Sequence, residues 1–129
     1  MKDRVHERLL HMRDFAREAL ALTKGKSRDD LDSDRLLQLA CDRLIELIGE
    51  AATHAPQALR DAHPSIPWRN MIGMRNWLIH GYVAIDRDLM WSTIQNDLGP
   101  LIAALDELLA NWTGEMSGQT ESGDEGAKS

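Results

Sequence analysis

Cysteine occurs once in these 129 residues, as Cys41. A single thiol excludes an internal disulfide and a zinc site built on cysteines. Cys41 sits in the apolar-periodic run LACDRLIELIG and reads as a small buried residue. Long hydrophobic runs are also missing: nothing approaches the roughly 18 apolar residues that a bilayer span requires. The N-terminus, MKDRVHERLL, is charged from its second residue and carries no signal-peptide pattern. The chain is therefore expected to be soluble and cytoplasmic, with no membrane partner. No stretch alternates as a strand would, and no repeat recurs at a solenoid period. Nor is there a basic excess. The formal charge of −6 argues against a general nucleic-acid coat, although it leaves room for a local basic pocket.

What the sequence does hold is helical periodicity, with an apolar fraction of 43% that can supply a core. Val5, Leu9, Met12, Ala16, Ala19 and Ala21 or Leu22 recur at helical spacing over residues 3–23, and Gly25 is a stop. KGKSRDD reads as a polar connection. A second helix is expected over 33–54, capped by Ser33 or Asp32, with Leu36, Leu37, Ala40, Leu44, Ile48 and Ala51 as its apolar stripe. Gly49 would face inward and let another helix come close. A short helical piece follows from Pro56 to Ala62. A third long helix runs from Pro67 to about Ile79, with Ser65 or Ile66 near its cap and Gly81 as its stop. Asp86 caps a fourth helix that continues to Trp112, with a kink or break near Leu98 because Pro100 lies inside it.

The reading is all-α: an antiparallel four-helix bundle spanning residues 1–112. Residues 113–129 turn to Gly, Ser, Thr and acids and are expected to form a disordered tail. Glu115, Glu121, Asp124 and Glu125 against Lys128 place half of the net charge there.

One segment departs from ordinary core composition. MRNWLIHGY, residues 74–82, supplies apolar filling in Met74, Trp77, Leu78 and Ile79. It also carries Arg75, Asn76, His80 and Tyr82, all of which are costly to bury. At about 100° per residue, Asn76 and His80 share a helix face, and Arg75 lies one step round. Arg75 must therefore leave a partly apolar surface toward solvent or an anion. An imidazole exchanges protons near neutrality, and a guanidinium offers fixed charge with a planar fork of donors suited to phosphate. Together they are sufficient for phosphodiester chemistry in RNA, whose 2′-hydroxyl is an internal nucleophile, without a metal or other cofactor. By spacing alone, Arg-x4-His is a weak signal that occurs often by chance, and a surface ion pair at Arg75 with a helix cap at His80 is the commoner meaning.

IPWRNMIGMRNWLIHGY, with LIELIGEAATHAP upstream and VAIDRDLMWSTIQNDLGPL downstream, closely resembles the HepT-like toxins of the HEPN superfamily of small helical ribonucleases. The likeness covers roughly residues 35–112. The family motif Arg-x4-His-x-Tyr is met in register by Arg75, His80 and Tyr82. The resemblance implies an α-helical homodimer that cleaves RNA without a metal, two copies of the motif forming one composite cleft. It implies Arg75 and His80 as the catalytic pair, with Asn76 orienting His80 or the substrate. Two Arg75 side chains would then raise the local positive potential. It also implies a partner, an MntA-type nucleotidyltransferase antitoxin that transfers AMP onto Tyr82, in a type VII-like toxin–antitoxin pair. The alternative is a non-catalytic helical partner of a nucleotidyltransferase.

The remaining candidates weigh less. His6, His11, His54 and His63 show no metal-ligand spacing, and no metal site is assigned. Arg4, Arg8 and His11 on the first helix stand beside Asp3, Glu7, Asp14 and Glu18, as in a solvated salt-bridged face. Trp68, Trp77 and Trp91 read as core or dimer interface before base-stacking platforms.

Overall fold

A computed structural model describes residues 4–80 and 86–112. Tyr82, Gly81 and the tail from Thr113 lie outside them, and so do the expectations placed on those residues. Four long helical segments are present: α1 (Arg4–Thr23), α3 (Arg35–Thr53), α5 (Trp68–His80) and the run formed by α6 (Arg87–Ser92), a π-helical turn (Thr93–Asp97) and α7 (Leu98–Ala110). Two short helices, α2 (Arg28–Ser33) and α4 (Gln57–Ala62), join the first three. No strand occurs among the described residues. No described helix is long and apolar enough to cross a membrane.

The apolar stripes meet at the centre. Met12, Ala16 and Ala19 of α1, Cys41, Ile45, Ile48 and Ala52 of α3, Met71 of α5, Met90 of α6 and Ile94, Leu98, Leu101 and Leu105 beyond it are fully enclosed. Burial of each large side chain favours the fold by about 1.5–3 kcal/mol. Cys41 is buried as expected, and its apolar surroundings push the thiol up to about 11. α7 runs antiparallel to α1. Asp106 pairs with Arg13 and Arg17, and Trp112 stacks near His6.

Local chemistry explains where these helices start. The KGKSRDD segment is not a plain connection. Ser27 and Asp30 form a reciprocal capping box, Gly25 takes the left-handed turn ahead of it at φ 78°, and α2 buries Leu31. α3 is capped by Asp34, not by Asp32 or Ser33, through Leu37 N–H at 3.1 Å. Leu36, placed in the α3 stripe from its spacing, is 78% exposed. The later start of α3 leaves it in the first turn, on the side away from the core. Asp86 caps α6 as expected, accepting from Leu89 N–H at 3.1 Å. The break near Leu98 takes the form of the π-helical turn. Pro100 has no N–H, and its ring would meet the Asn96 carbonyl in a regular helix. The wider turn just before it relieves that clash.

Candidate active site

α3 and α5 are the pair that builds the site, and Gly49 sets how close they come. A Cβ at Gly49 would lie under 3.0 Å from both the Arg75 Cβ and the Met71 carbonyl oxygen. The inward-facing glycine is therefore a packing residue, as its position in the α3 stripe suggested. α5 runs antiparallel to α3. Arg75 meets Glu50, and beyond the end of α5 Arg87 meets Asp42, one Nη1–Oδ1 contact being 2.6 Å.

Close packing forces Arg75 sideways. Its side chain is 27% exposed and leads along α3 to Glu50. Nε donates to Glu50 Oε1 at 2.9 Å, and Nη2 approaches the same oxygen at 2.8 Å. Nη1 donates to Asn76 Oδ1 at 2.8 Å. The other carboxylate oxygen, Glu50 Oε2, faces His54 Nε2 at 3.4 Å. A guanidinium has five N–H donors. Three are used here, which leaves one on each Nη, a fork matched to two oxygens of a phosphate.

Partial burial favours the neutral form of Glu50. The hydrogen bond and charge of Arg75, with His54 adding to them, outweigh that and hold the carboxyl below its ordinary value of 4.5. A folded-state pKa below the unfolded one means that this tie stabilises the fold above pH 4.5, and that the contribution is lost as pH falls through the folded value. An exposed pair of this kind is worth about 0–1 kcal/mol. Glu50→Gln should thus melt at most a few degrees below wild type at pH 7, with the gap closing toward pH 3. Thermal melts across that range check it, and a gap that widens in acid would contradict the assignment.

His80 ends α5. It is exposed, and among the described residues it makes no hydrogen bond or ion pair. Arg75 and Asn76 are thus brought together, and His80 stands about one and a half turns further along the same helix, turned to solvent with Asn76. Glu50 and His54 were not singled out from the sequence. Glu50 directly follows the inward-facing Gly49, and that adjacency was the available signal. Glu50 also offsets the Arg75 charge, so a pairing of two such arginines would raise the positive potential by less than their formal sum. Among the described residues no three His, Cys, Asp or Glu side chains gather as a metal site would.

Trp68 is buried and donates its indole N–H to the His63 carbonyl at 3.0 Å; Trp77 and Trp91 are half-buried against the core. All three pack into or against the core. His54 and His63 close the C-terminal ends of α3 and α4.

An all-α bundle that presents a braced arginine and an exposed imidazole from one helix has the make-up of a small helical nuclease. Comparison with known proteins specifies the family. Residues 12–108 match the family model described as Ribonuclease HepT-like, and the chain belongs to that family. It is 35% identical over 102 residues to a probable ribonuclease HepT of Thermococcus cleftensis, covering 76% of this chain and 92% of that protein. It is 36% identical over 86 residues to a presumed RNase of Caldanaerobacter subterraneus, covering 67% and 77%. A presumed RNase of Methanocaldococcus jannaschii is 32% identical over 83 residues, covering 64% and 76%. No solved structure matches.

Proposed function

We propose that this chain is a metal-independent endoribonuclease and the toxin of a type VII-like toxin–antitoxin pair in the cytoplasm, acting as a homodimer. The observation that carries the reading is the Arg75 fork, with two donors unallotted, on the same helix as an exposed His80. In the reaction the 2′-oxygen of RNA attacks the adjacent phosphorus and the bond to the 5′-oxygen breaks. The products are a 2′,3′-cyclic phosphate and a 5′-hydroxyl. His80 takes the 2′ proton or returns one to the leaving oxygen, and in a dimer the two copies divide these roles. Arg75 holds the non-bridging oxygens, where charge builds up. Asn76 keeps the guanidinium in plane and orients the substrate.

Exposed apolar side chains supply a reason to dimerise. Leu36 and Leu39 of α3 and Leu89 of α6 face solvent. α3 and α6 are neighbours through the Arg87–Asp42 pair, so these leucines lie beyond the His80 end of α5. The cognate nucleotidyltransferase would neutralise the toxin at Tyr82. The phenol oxygen displaces pyrophosphate from ATP, loses its proton and keeps the AMP, adding bulk and negative charge two residues from His80. The braced fork and exposed imidazole favour a nuclease over a non-catalytic nucleotidyltransferase partner, for which neither group has a use.

Expression with and without that nucleotidyltransferase tests the assignment. Growth arrest is expected from this chain alone, with relief when the partner is present and 2′,3′-cyclic phosphate ends on cut RNA made in EDTA. Absence of arrest, with tight binding to the partner, would instead identify the non-catalytic module.

A further inference from the structure

A cleft lies away from Arg75 and His80, at the other end of α5. It has a volume of about 460 Å3. Pro64, Ile66 and Ile72 give it apolar walls, and Gln57, Asp61 and Arg69 give it polar groups. That mixture and size suit a small organic ligand with a few directed hydrogen bonds.

Arg69 is exposed, and among the described residues it makes no hydrogen bond or ion pair. Its neighbour in the cleft, Arg60, is already committed to the carbonyls of Ala52, Thr53 and Ala55 at the end of α3. Arg69 is therefore the cation of this cleft that keeps its full set of donors among the described residues. The acceptors come from α4. The Gln57 side-chain amide donates to Asp61 Oδ1 at 2.9 Å, which leaves Asp61 Oδ2 and the Gln57 carbonyl oxygen for another donor.

Arg69 of this cleft shares a face of α5 with Asn76 and His80. At about 100° per residue, Arg69, Gly73, Asn76 and His80 fall within roughly 60° of one another on α5. All four are exposed. Gly73 lies in the middle of that stripe, and a Cβ there would meet nothing within 4 Å. Packing does not explain a glycine inside this helix, where it weakens the helix. What it does is leave the backbone bare between the cleft and Asn76, so that an extended chain can lie flat. Arg69 and His80 are eleven residues apart, or about 16 Å along the axis, a distance bridged by a short run of single-stranded RNA.

We propose that this cleft holds one unpaired nucleotide of the RNA substrate, a few positions from the bond that is cut. Arg69 takes its phosphate, and Asp61 with Gln57 accepts from the exocyclic amino group of its base. The site therefore prefers adenine, cytosine or guanine over uracil. The proposal rests on the ribonuclease reading above and adds to it a determinant of where the enzyme cuts.

The test uses the full chain on a long single-stranded RNA and on a dinucleotide too short to reach from the scissile bond to the cleft. Arg69→Ala should lower kcat/KM on the long strand about ten-fold, chiefly through KM, as expected for one lost charge-assisted contact. On the dinucleotide it should change little. Sequencing of cut ends should show uracil disfavoured at one fixed offset for wild type, and Asp61→Asn should weaken that bias. Equal loss on both substrates, no loss on either, or cut sites without a fixed offset would overturn the proposal while leaving the nuclease standing. Failure of wild type to cut either RNA overturns both. Melting curves of both variants should match wild type, because Arg69 has no partner to lose among the described residues and Asp61 is exposed.

Discussion

His80→Ala should cut RNA about 10²–10⁴-fold more slowly than wild type, the range for loss of a positioned proton donor or acceptor. Its melting temperature should stay unchanged, since the exposed imidazole has no hydrogen bond or ion pair among the described residues to give up. Arg75→Ala should lose about 10²–10³-fold, as when one donor to a developing oxyanion is removed. It keeps the Cβ that packs on Gly49 and gives up the half-exposed pair with Glu50 and the hydrogen bond to Asn76, so it should lose about 1 kcal/mol of stability. Arg75→Lys separates charge from shape. An ammonium is a single point on a flexible stem, and it cannot bridge Glu50, Asn76 and a phosphate in one plane. It should therefore fall nearer to alanine than to wild type. Initial rates on labelled single-stranded RNA in EDTA decide all three. Equal rates for wild type and His80→Ala would remove the proton-transfer role, and full activity in Arg75→Lys would remove the fork.

These outcomes depend on a geometry only partly legible in the sequence. Helical periodicity located the long helices because each one buries a single stripe, and burial is what periodicity reports. It placed Leu36 in the core because a stripe extended two residues too early cannot show where the helix begins. Asp34 makes that decision through a hydrogen bond to its own third residue, and Asp32 and Ser33 are equally capable caps by type. Arg75 and His80 were legible as residues that a core segment does not need. Glu50 was not, because its role depends on contact between two helices twenty-five positions apart in the chain. An acid on a helix face is ordinary until its partner is known. The π-helical turn shows a middle case. Pro100 announced a disturbance near Leu98, but the proline alone does not say whether the chain kinks, breaks or widens.

Among the described glycines inside helices, Gly49 is the one where an added methyl, as in Gly49→Ala, should disrupt the fold most. Alanine is the better helix former, which favours the variant by about 1 kcal/mol. Against that, the new methyl would sit under 3.0 Å from the Arg75 Cβ and the Met71 carbonyl oxygen. Neither is the free end of a flexible side chain, so neither can swing aside, and α5 itself must move away from α3. Overpacking of this kind costs about 1–3 kcal/mol, and moving a whole helix belongs at the upper end. The net expectation is a loss of about 1–2 kcal/mol, read as several degrees in melting temperature. Gly73→Ala is the matched control. It lies on α5 with open space around it, so the same propensity gain should appear there as a small rise. Activity should fall further in Gly49→Ala than the folded fraction does, because a displaced α5 pulls the Arg75 guanidinium out of reach of Glu50. A Gly49→Ala protein that melts at or above wild type and cuts RNA at the wild-type rate would mean that the two helices do not approach as closely as this site requires.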